Sequence, residues 1–306
     1  MRAFLFPGQG SQSVGMGKAL AEASRTAREL FEEVDEALGQ SLARLMAEGP
    51  IEALTLTENA QPAIMANALA TFRTSGIAIS KADFVAGHSL GEYTALAAAD
   101  AFGVATAARL LKLRGQAMQA AVPVGEGAMA ALLGADLAVA QAVADAAARG
   151  EVCTVANDND PSQVVISGHR GAVERALEIA KEKGAKRAVL LPVSAPFHSP
   201  LMEPAARAME QALADAEIAR PAVPLYANVT AAPVQDAAEI RTLLVEQVTG
   251  MVRWRESVAA MAEAGVAEFV EFGGKVLAPM VKRIAPDARV TSIVTMADID
   301  ALVREI

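Results

Sequence analysis

The stretch Phe84-Val85-Ala86-Gly87-His88-Ser89-Leu90-Gly91-Glu92 places the tightest limit on what this chain can fold into. An apolar, strand-like run passes straight into Gly-x-Ser-x-Gly, and an alanine-rich helical stretch follows from Tyr93. A strand that turns this sharply into a helix crowds the positions two before and two after the apex, and only residues without a Cβ relieve that crowding. The apex serine is then held in a strained conformation with its oxygen exposed. The new helix aims its free N–H groups at the same spot, where developing negative charge is stabilised. Gly-x-Ser-x-Gly can also be an ordinary loop. The strand–turn–helix setting is what makes Ser89 a candidate nucleophile.

The rest of the chain must build a body around that bend. With 306 residues, 53% of them hydrophobic, there is material for a large core in one or two domains. Aromatic residues are only 4%, so that core is aliphatic and rich in alanine. The net charge of −9 argues against nucleic acid as a partner, and an anionic substrate would need a local cationic pocket. The single Cys153 excludes an internal disulfide and any multi-cysteine metal site, and its apolar neighbours suggest a buried, inert thiol. No histidine pair has the helical spacing of metal ligands, so no metal is expected. The N-terminal apolar run is too short for a signal peptide, and no uncharged apolar stretch is long enough for a membrane span. A cytoplasmic enzyme, soluble and monomeric, is the expectation.

Strand-like and helical patterns alternate along the chain, which predicts a mostly parallel sheet with helices on both faces. Arg2 to Phe6 reads as a buried strand, closed by the turn Pro7-Gly8-Gln9-Gly10-Ser11-Gln12. One helix is expected over 19–38 and another from Pro62 to Ser75, started by its proline. Between residues 124 and 192 the order becomes β-α-β-β-α-β, a ferredoxin-like unit. It divides the chain into a hydrolase-like body, 1–123 and 193–306, and an inserted subdomain, 124–192. Within the insert, Asn157-Asp158-Asn159-Asp160-Pro161 reads as the turn joining two strands. The loop Pro192 to Ser199 leads back to the body.

A serine hydroxyl needs a general base, and three histidines are available. His88 adjoins Ser89, and neighbouring side chains across a sharp turn diverge, so a local packing or hydrogen-bonding role is expected. His169 opens a subdomain helix, where an exposed or capping role is expected. His198 follows the proline-stiffened Ala195-Pro196-Phe197 and comes after the serine in sequence, the order of hydrolase-type triads. His198 is the expected base.

Taken together, these motifs resemble the malonyl-CoA:acyl carrier protein transacylase family of bacterial fatty-acid synthesis along nearly the whole chain. The matching stretches are Phe6-Pro7-Gly8-Gln9-Gly10-Ser11-Gln12, Gly87-His88-Ser89-Leu90-Gly91-Glu92, Arg114-Gly115, Ala195-Pro196-Phe197-His198-Ser199 and Val245-Glu246-Gln247 before Val252-Arg253-Trp254. The resemblance implies an acyl-serine intermediate on Ser89 and His198 as base and later acid. It implies an oxyanion hole from the backbone N–H groups of Gln9 and Leu90. Arg114 would hold the malonyl carboxylate, and the Gln247 carbonyl would orient His198. Phe197 resembles the malonyl-selecting form of its loop. Malonyl-CoA and acyl carrier protein would be the partners, with no cofactor beyond the coenzyme A thioester that is the substrate.

Physical chemistry agrees with this division of work. A guanidinium grips a carboxylate with two prongs, and Leu110, Leu111 and Leu113 make the Arg114 helix apolar. A buried arginine demands an anion, and no acid lies near it in sequence, which leaves the substrate; the competing reading is a solvated helix face with Arg109 and Lys112. Asn157 and Asn159 either touch the pantetheine arm or simply make their turn. Lys186, Arg187, Lys275, Lys282 and Arg283 are candidates for a basic rim facing an acidic carrier. Two other readings stand beside transfer: a serine esterase or thioesterase with the same elbow, and a non-catalytic carrier-binding subunit. An acyltransferase domain of a polyketide pathway is a further alternative within the transfer reading.

Overall fold

β1 (Arg2–Phe6) alternates its side chains between two helix layers. Phe4 and Phe6 point into the largest core, where they cluster with Phe72 and Phe272. Ala3 and Leu5 point into a second core with Trp254, Val258 and Val281. A strand buried on both faces is the mark of a parallel sheet sandwiched by helices. The computed structural model describes residues 1–193 and 195–306; Ser194, in the predicted return loop, lies outside the described residues.

The described residues form two sheets. The first begins with β1 and β2 (Phe84–Gly87). The second is formed by β3 (Gly127–Leu133), β4 (Cys153–Asp160), β5 (Gln163–His169) and β6 (Arg187–Leu190). The chain then returns to the first sheet with β7 (Leu225–Ala227), β8 (Ala232–Val234), β9 (Glu268–Phe272) and β10 (Arg289–Ile293). Strand order in the first sheet is β10-β9-β1-β2-β7-β8, parallel throughout except where β8 folds back on β7. In the second it is β4-β5-β3-β6, all antiparallel, with two helices, Leu137–Ala148 and Arg170–Glu182, packed on it around their own core. That order is the ferredoxin-like one, so the predicted α/β class is the observed one.

Three local expectations are corrected. Asn157 to Asp160 is not a turn but the end of β4. Distant partners meet it: the Asn157 backbone bridges Val252, Asp158 pairs with Arg255 at 2.8 Å, Asn159 meets His88 at 2.8 Å, and Asp160 pairs with Arg283 at 2.6 Å. Satisfied in this way, four polar residues continue as strand, and the bend falls at Pro161 and Ser162. The helix expected over 19–38 is two helices, Lys18–Ala23 and Arg25–Leu38, split at an extended Ser24 whose hydroxyl caps the second. The helix expected to start at Pro62 starts at Thr57 and runs to Thr74 with Pro62 inside it. One backbone bond is lost there, but the helix is buried nearly all round, so packing holds it.

The elbow itself is as cramped as a strand-to-helix reversal requires. A Cβ on Gly87 would sit 1.9 Å from the Gly91 carbonyl oxygen, and one on Gly91 would sit 2.3 Å from that of Phe6. Ser89 between them has φ 55°, in the left-handed region. Neither glycine can gain a methyl without moving backbone. Gly87→Ala is therefore expected to lower folding stability by at least about 3 kcal/mol. Urea unfolding of the variant checks this, and an unchanged midpoint would contradict the crowding described here.

Candidate active site

Ser89 sits at the carboxyl end of β2, and its neighbour strand β7 delivers Asn228 immediately afterwards. Asn228 is fully buried and clamps the bend. Its Oδ1 accepts from the Ser89 N–H at 2.8 Å, and its Nδ2 donates to the Gly87 carbonyl at 2.8 Å. The strained serine is thus held from the side by a side chain no sequence pattern singled out.

His198 reaches the same point from the far side of the chain, itself at φ 55° and only 4% exposed. Its Nε2 lies 2.8 Å from Ser89 Oγ, and its Nδ1 lies 2.9 Å from the backbone carbonyl of Gln247. A carbonyl can only accept, so the proton is on Nδ1 and the Nε2 lone pair faces the serine. Burial pushes the imidazole down to about 3, assisted by the charge of Arg114 and opposed by the bond to Gln247. At neutral pH it is an uncharged base.

Arg114 is 1% exposed on the helix Val104–Ala120. Its Nη2 donates to Ser89 Oγ at 3.1 Å and to Gln247 Oε1 at 2.8 Å, while Nη1 donates to Gln61 Oε1 at 2.8 Å. The solvated-face reading is excluded by this burial. Lys112, two residues earlier on the same helix, is held instead by Glu58, Gln40 and Asn59.

No acid lies near Arg114 in sequence, but the fold brings one close. Glu92, also buried, contacts the Nε2 of Gln247, whose Oε1 receives the arginine, and accepts from the Asn228 N–H at 3.0 Å. Burial raises the Glu92 carboxyl to about 8, outweighing its donors and the field of Arg114. Burial thus disfavours a charge on Glu92, which reaches the guanidinium only through the Gln247 amide, so the two are not directly paired. Glu92 carried one sequence signal: it is the single charge in the otherwise apolar Gly91–Ala98 helix.

A cavity of about 290 Å³ opens over this cluster. Ser89, His198, Arg114, Gln9, Leu90, Phe197 and Asn157 all line it, joined by Gln61, Met118 and Met129. Asn159 stands apart, its Oδ1 turned to His88, whose ring also packs on Trp254 at 5.7 Å. So His88 makes its contact across the subdomain boundary and not locally. His169 neither caps with its side chain nor stands free: its Nδ1 accepts the Val152 N–H at 2.9 Å, closing the β4–β5 pair. None of the five rim candidates lines the cavity, and Arg283 is spent on Asp160. Among the described residues no group of three His, Cys, Asp or Glu could hold a metal ion, and no helix is long and apolar enough to cross a membrane.

A strained serine, a neutral imidazole and a buried guanidinium around one cavity, set at the carboxyl edge of a parallel sheet, define an enzyme that passes acyl groups through serine. Residues 3–280 match the acyl transferase domain family, and the chain belongs to it. It is 48% identical over 287 residues to the malonyl CoA-acyl carrier protein transacylase of Bacillus subtilis, covering 92% of this chain and 90% of that one. It superposes on the acyl-carrier-protein S-malonyltransferase of Bartonella henselae with TM-score 0.97 at 51% identity, over 99% of this chain and 98% of the other. A malonyl-transacylase solved in complex with its type II PKS acyl-carrier protein is 38% identical, with TM-score 0.96 over 100% of this chain and 99% of that one.

Because the folded His198 and His88 both bind protons less readily than a free imidazole, the unfolded chain protonates first as pH falls. The stability held above pH ~6.5 is then lost progressively as pH falls toward the folded value. Nitrogen-15 NMR of the His198 ring is expected to report a neutral imidazole at about pH 5. A charged ring at that pH would contradict the buried-base geometry.

Proposed function

We propose that this chain moves a malonyl group from malonyl-CoA to the phosphopantetheine thiol of acyl carrier protein, as a cytoplasmic enzyme of bacterial fatty-acid synthesis. The observation that carries the substrate is Arg114: a buried guanidinium 3.1 Å from Ser89 Oγ, inside the cavity, without a full counter-charge. A group that carries a carboxylate at the reacting end meets that charge, and a neutral acyl group leaves it unpaired.

Ser89 Oγ attacks the thioester carbonyl while His198 Nε2 takes its proton. The carbonyl oxygen becomes an oxyanion received by the Gln9 and Leu90 N–H groups, with Leu90 lying just ahead of the Gly91–Ala98 helix. Collapse breaks the carbon–sulfur bond, and the imidazolium returns its proton to the coenzyme A sulfur. The carrier thiol then gives its proton to His198 and attacks the ester, and Ser89 recovers the proton as it leaves. The Gln247 carbonyl holds the ring in one tautomer through both halves. The activated acyl group arrives in the thioester, so no further cofactor is needed. Phe197 narrows the cavity beside the malonyl group, and Asn157 lines the way for the pantetheine arm. Residues 124–192 act as a subdomain inserted into the body of 1–123 and 193–306, forming one wall of the cavity with Met129 and Asn157. The likeness to a transacylase complexed with a polyketide carrier supports a second acceptor, a polyketide carrier protein, for the same malonyl-serine.

Intact-mass measurement after mixing with malonyl-CoA is expected to find one malonyl group on the native protein and none on Ser89→Ala. Arg114→Ala is expected to slow malonyl loading by about 100-fold or more, with acetyl loading from acetyl-CoA little changed. Equal loss of both acyl groups would remove Arg114 from carboxylate recognition, and release of malonate to water with no transfer would favour the esterase reading.

A further inference from the structure

We propose that Thr57 and Gln61 are positioning residues that couple the carboxylate receptor to the oxyanion turn, so that malonyl selectivity is expressed in the acylation step as well as in binding. This rests on the malonyl-transfer reading above and deepens it. From Arg114 a chain of hydrogen bonds runs through the first turn of the Thr57–Thr74 helix. Arg114 Nη1 donates to Gln61 Oε1 at 2.8 Å, Gln61 Nε2 donates to Thr57 Oγ at 3.0 Å, and Thr57 Oγ donates to Gln9 Oε1 at 3.0 Å.

The first link fixes the direction of the second and leaves the Thr57 proton for the third. A guanidinium only donates, so the Gln61 carbonyl must face it and the Gln61 NH₂ must face away. That NH₂ reaches Thr57, whose oxygen therefore accepts and whose proton is free for Gln9. Thr57 and Gln61 are 2% and 1% exposed, so water does not compete for these bonds. At one end of the chain is the charge that meets the substrate carboxylate. At the other is the side chain of the residue whose backbone N–H faces the oxyanion.

Gly115 lets the two ends meet. A Cβ there would lie 2.5 Å from Glu58 Cα and 2.7 Å from the Thr57 carbonyl oxygen. The Arg114 helix can therefore press directly on the turn that carries Thr57. A carboxylate drawn to Arg114 shifts how tightly the guanidinium holds Gln61, and the relay passes that restraint to the Pro7–Gln12 turn. A neutral acyl group leaves it unengaged.

The test compares single-turnover loading of Ser89 by malonyl-CoA and acetyl-CoA in Thr57→Val, which keeps the shape and removes the hydroxyl, and Thr57→Ser, which keeps the hydroxyl. Thr57→Val is expected to lower the maximal malonyl-loading rate about tenfold, with the half-saturating concentration changed by less than about twofold and acetyl loading unchanged. Thr57→Ser is expected to restore the rate. Thr57→Ala, which also removes the hydroxyl, is expected to reproduce the Thr57→Val defect. Equal slowing of both acyl groups, a change in half-saturation alone, or failure of Thr57→Ser to restore the rate would each overturn the relay. If Thr57→Val fails to fold, the Thr57→Ala malonyl-to-acetyl comparison decides alone. Failure of the native protein to take up malonyl at all would instead overturn the transfer reading, which the same experiment reads first.

Discussion

A positive charge sealed inside the protein organises this site. Arg114 is 1% exposed, and the side chains gathered round it are explicable as ways to hold that charge. Gln61 and Gln247 offer carbonyl oxygens, Ser89 offers its hydroxyl, and Tyr93 presents its ring face at 5.8 Å. Neutral acceptors satisfy a guanidinium's donors without cancelling its charge. Glu92 could have cancelled it, but burial disfavours its charge and the Gln247 amide lies between the two. The remaining charge has two consequences. It favours a neutral His198, and it favours an anion in the cavity.

These consequences work together. His198 rests on a backbone carbonyl and not on a carboxylate. A carboxylate behind the ring would raise its proton affinity, whereas Arg114 and desolvation lower it. A ring held neutral by burial is free to take the serine proton, and a thiolate needs less help to depart than an amine. Acylation then relies on the oxyanion donors to take up the developing negative charge.

Much of this was legible in the sequence, because the elbow is a steric problem with few solutions. Two glycines around a serine, after an apolar strand and before an alanine-rich helix, predicted a bend that the close approaches at Gly87 and Gly91 require. Strand and helix alternation was enough for the α/β class and for the β-α-β-β-α-β insert. What escaped was set by distant contacts. Asn157 to Asp160 carries every local mark of a turn and is a strand because Val252, Arg255, His88 and Arg283 come from elsewhere to satisfy it. Pro62 looked like a helix start and sits inside a helix because burial outweighs one lost bond. The short helices Leu42–Glu48 and Leu277–Ile284 and the strand Ala232–Val234 were too brief for periodicity to declare them. Asn228, Thr57 and Gln61 are ordinary polar residues in sequence, and only the fold reveals that they meet the elbow, the Gln9 side chain and the guanidinium.

The insert and the body meet along β4, and the way they meet bears on how the site stays in register. Along Asn157 to Asp160 the contacts to the body are a backbone bridge, two ion pairs and the Asn159–His88 bond. His88 is the residue next to Ser89, so the last of these ties the subdomain to the elbow itself. Asp158 and Asp160 have fully buried side chains, yet their arginines are partly exposed. An ion pair with one solvated member loses less hydration than a fully buried pair, so these latches hold at modest cost. The subdomain wall is thereby positioned by the same bend that strains the serine. Cavity shape and nucleophile geometry follow from one piece of backbone, and a shift of β4 against the body would disturb both together.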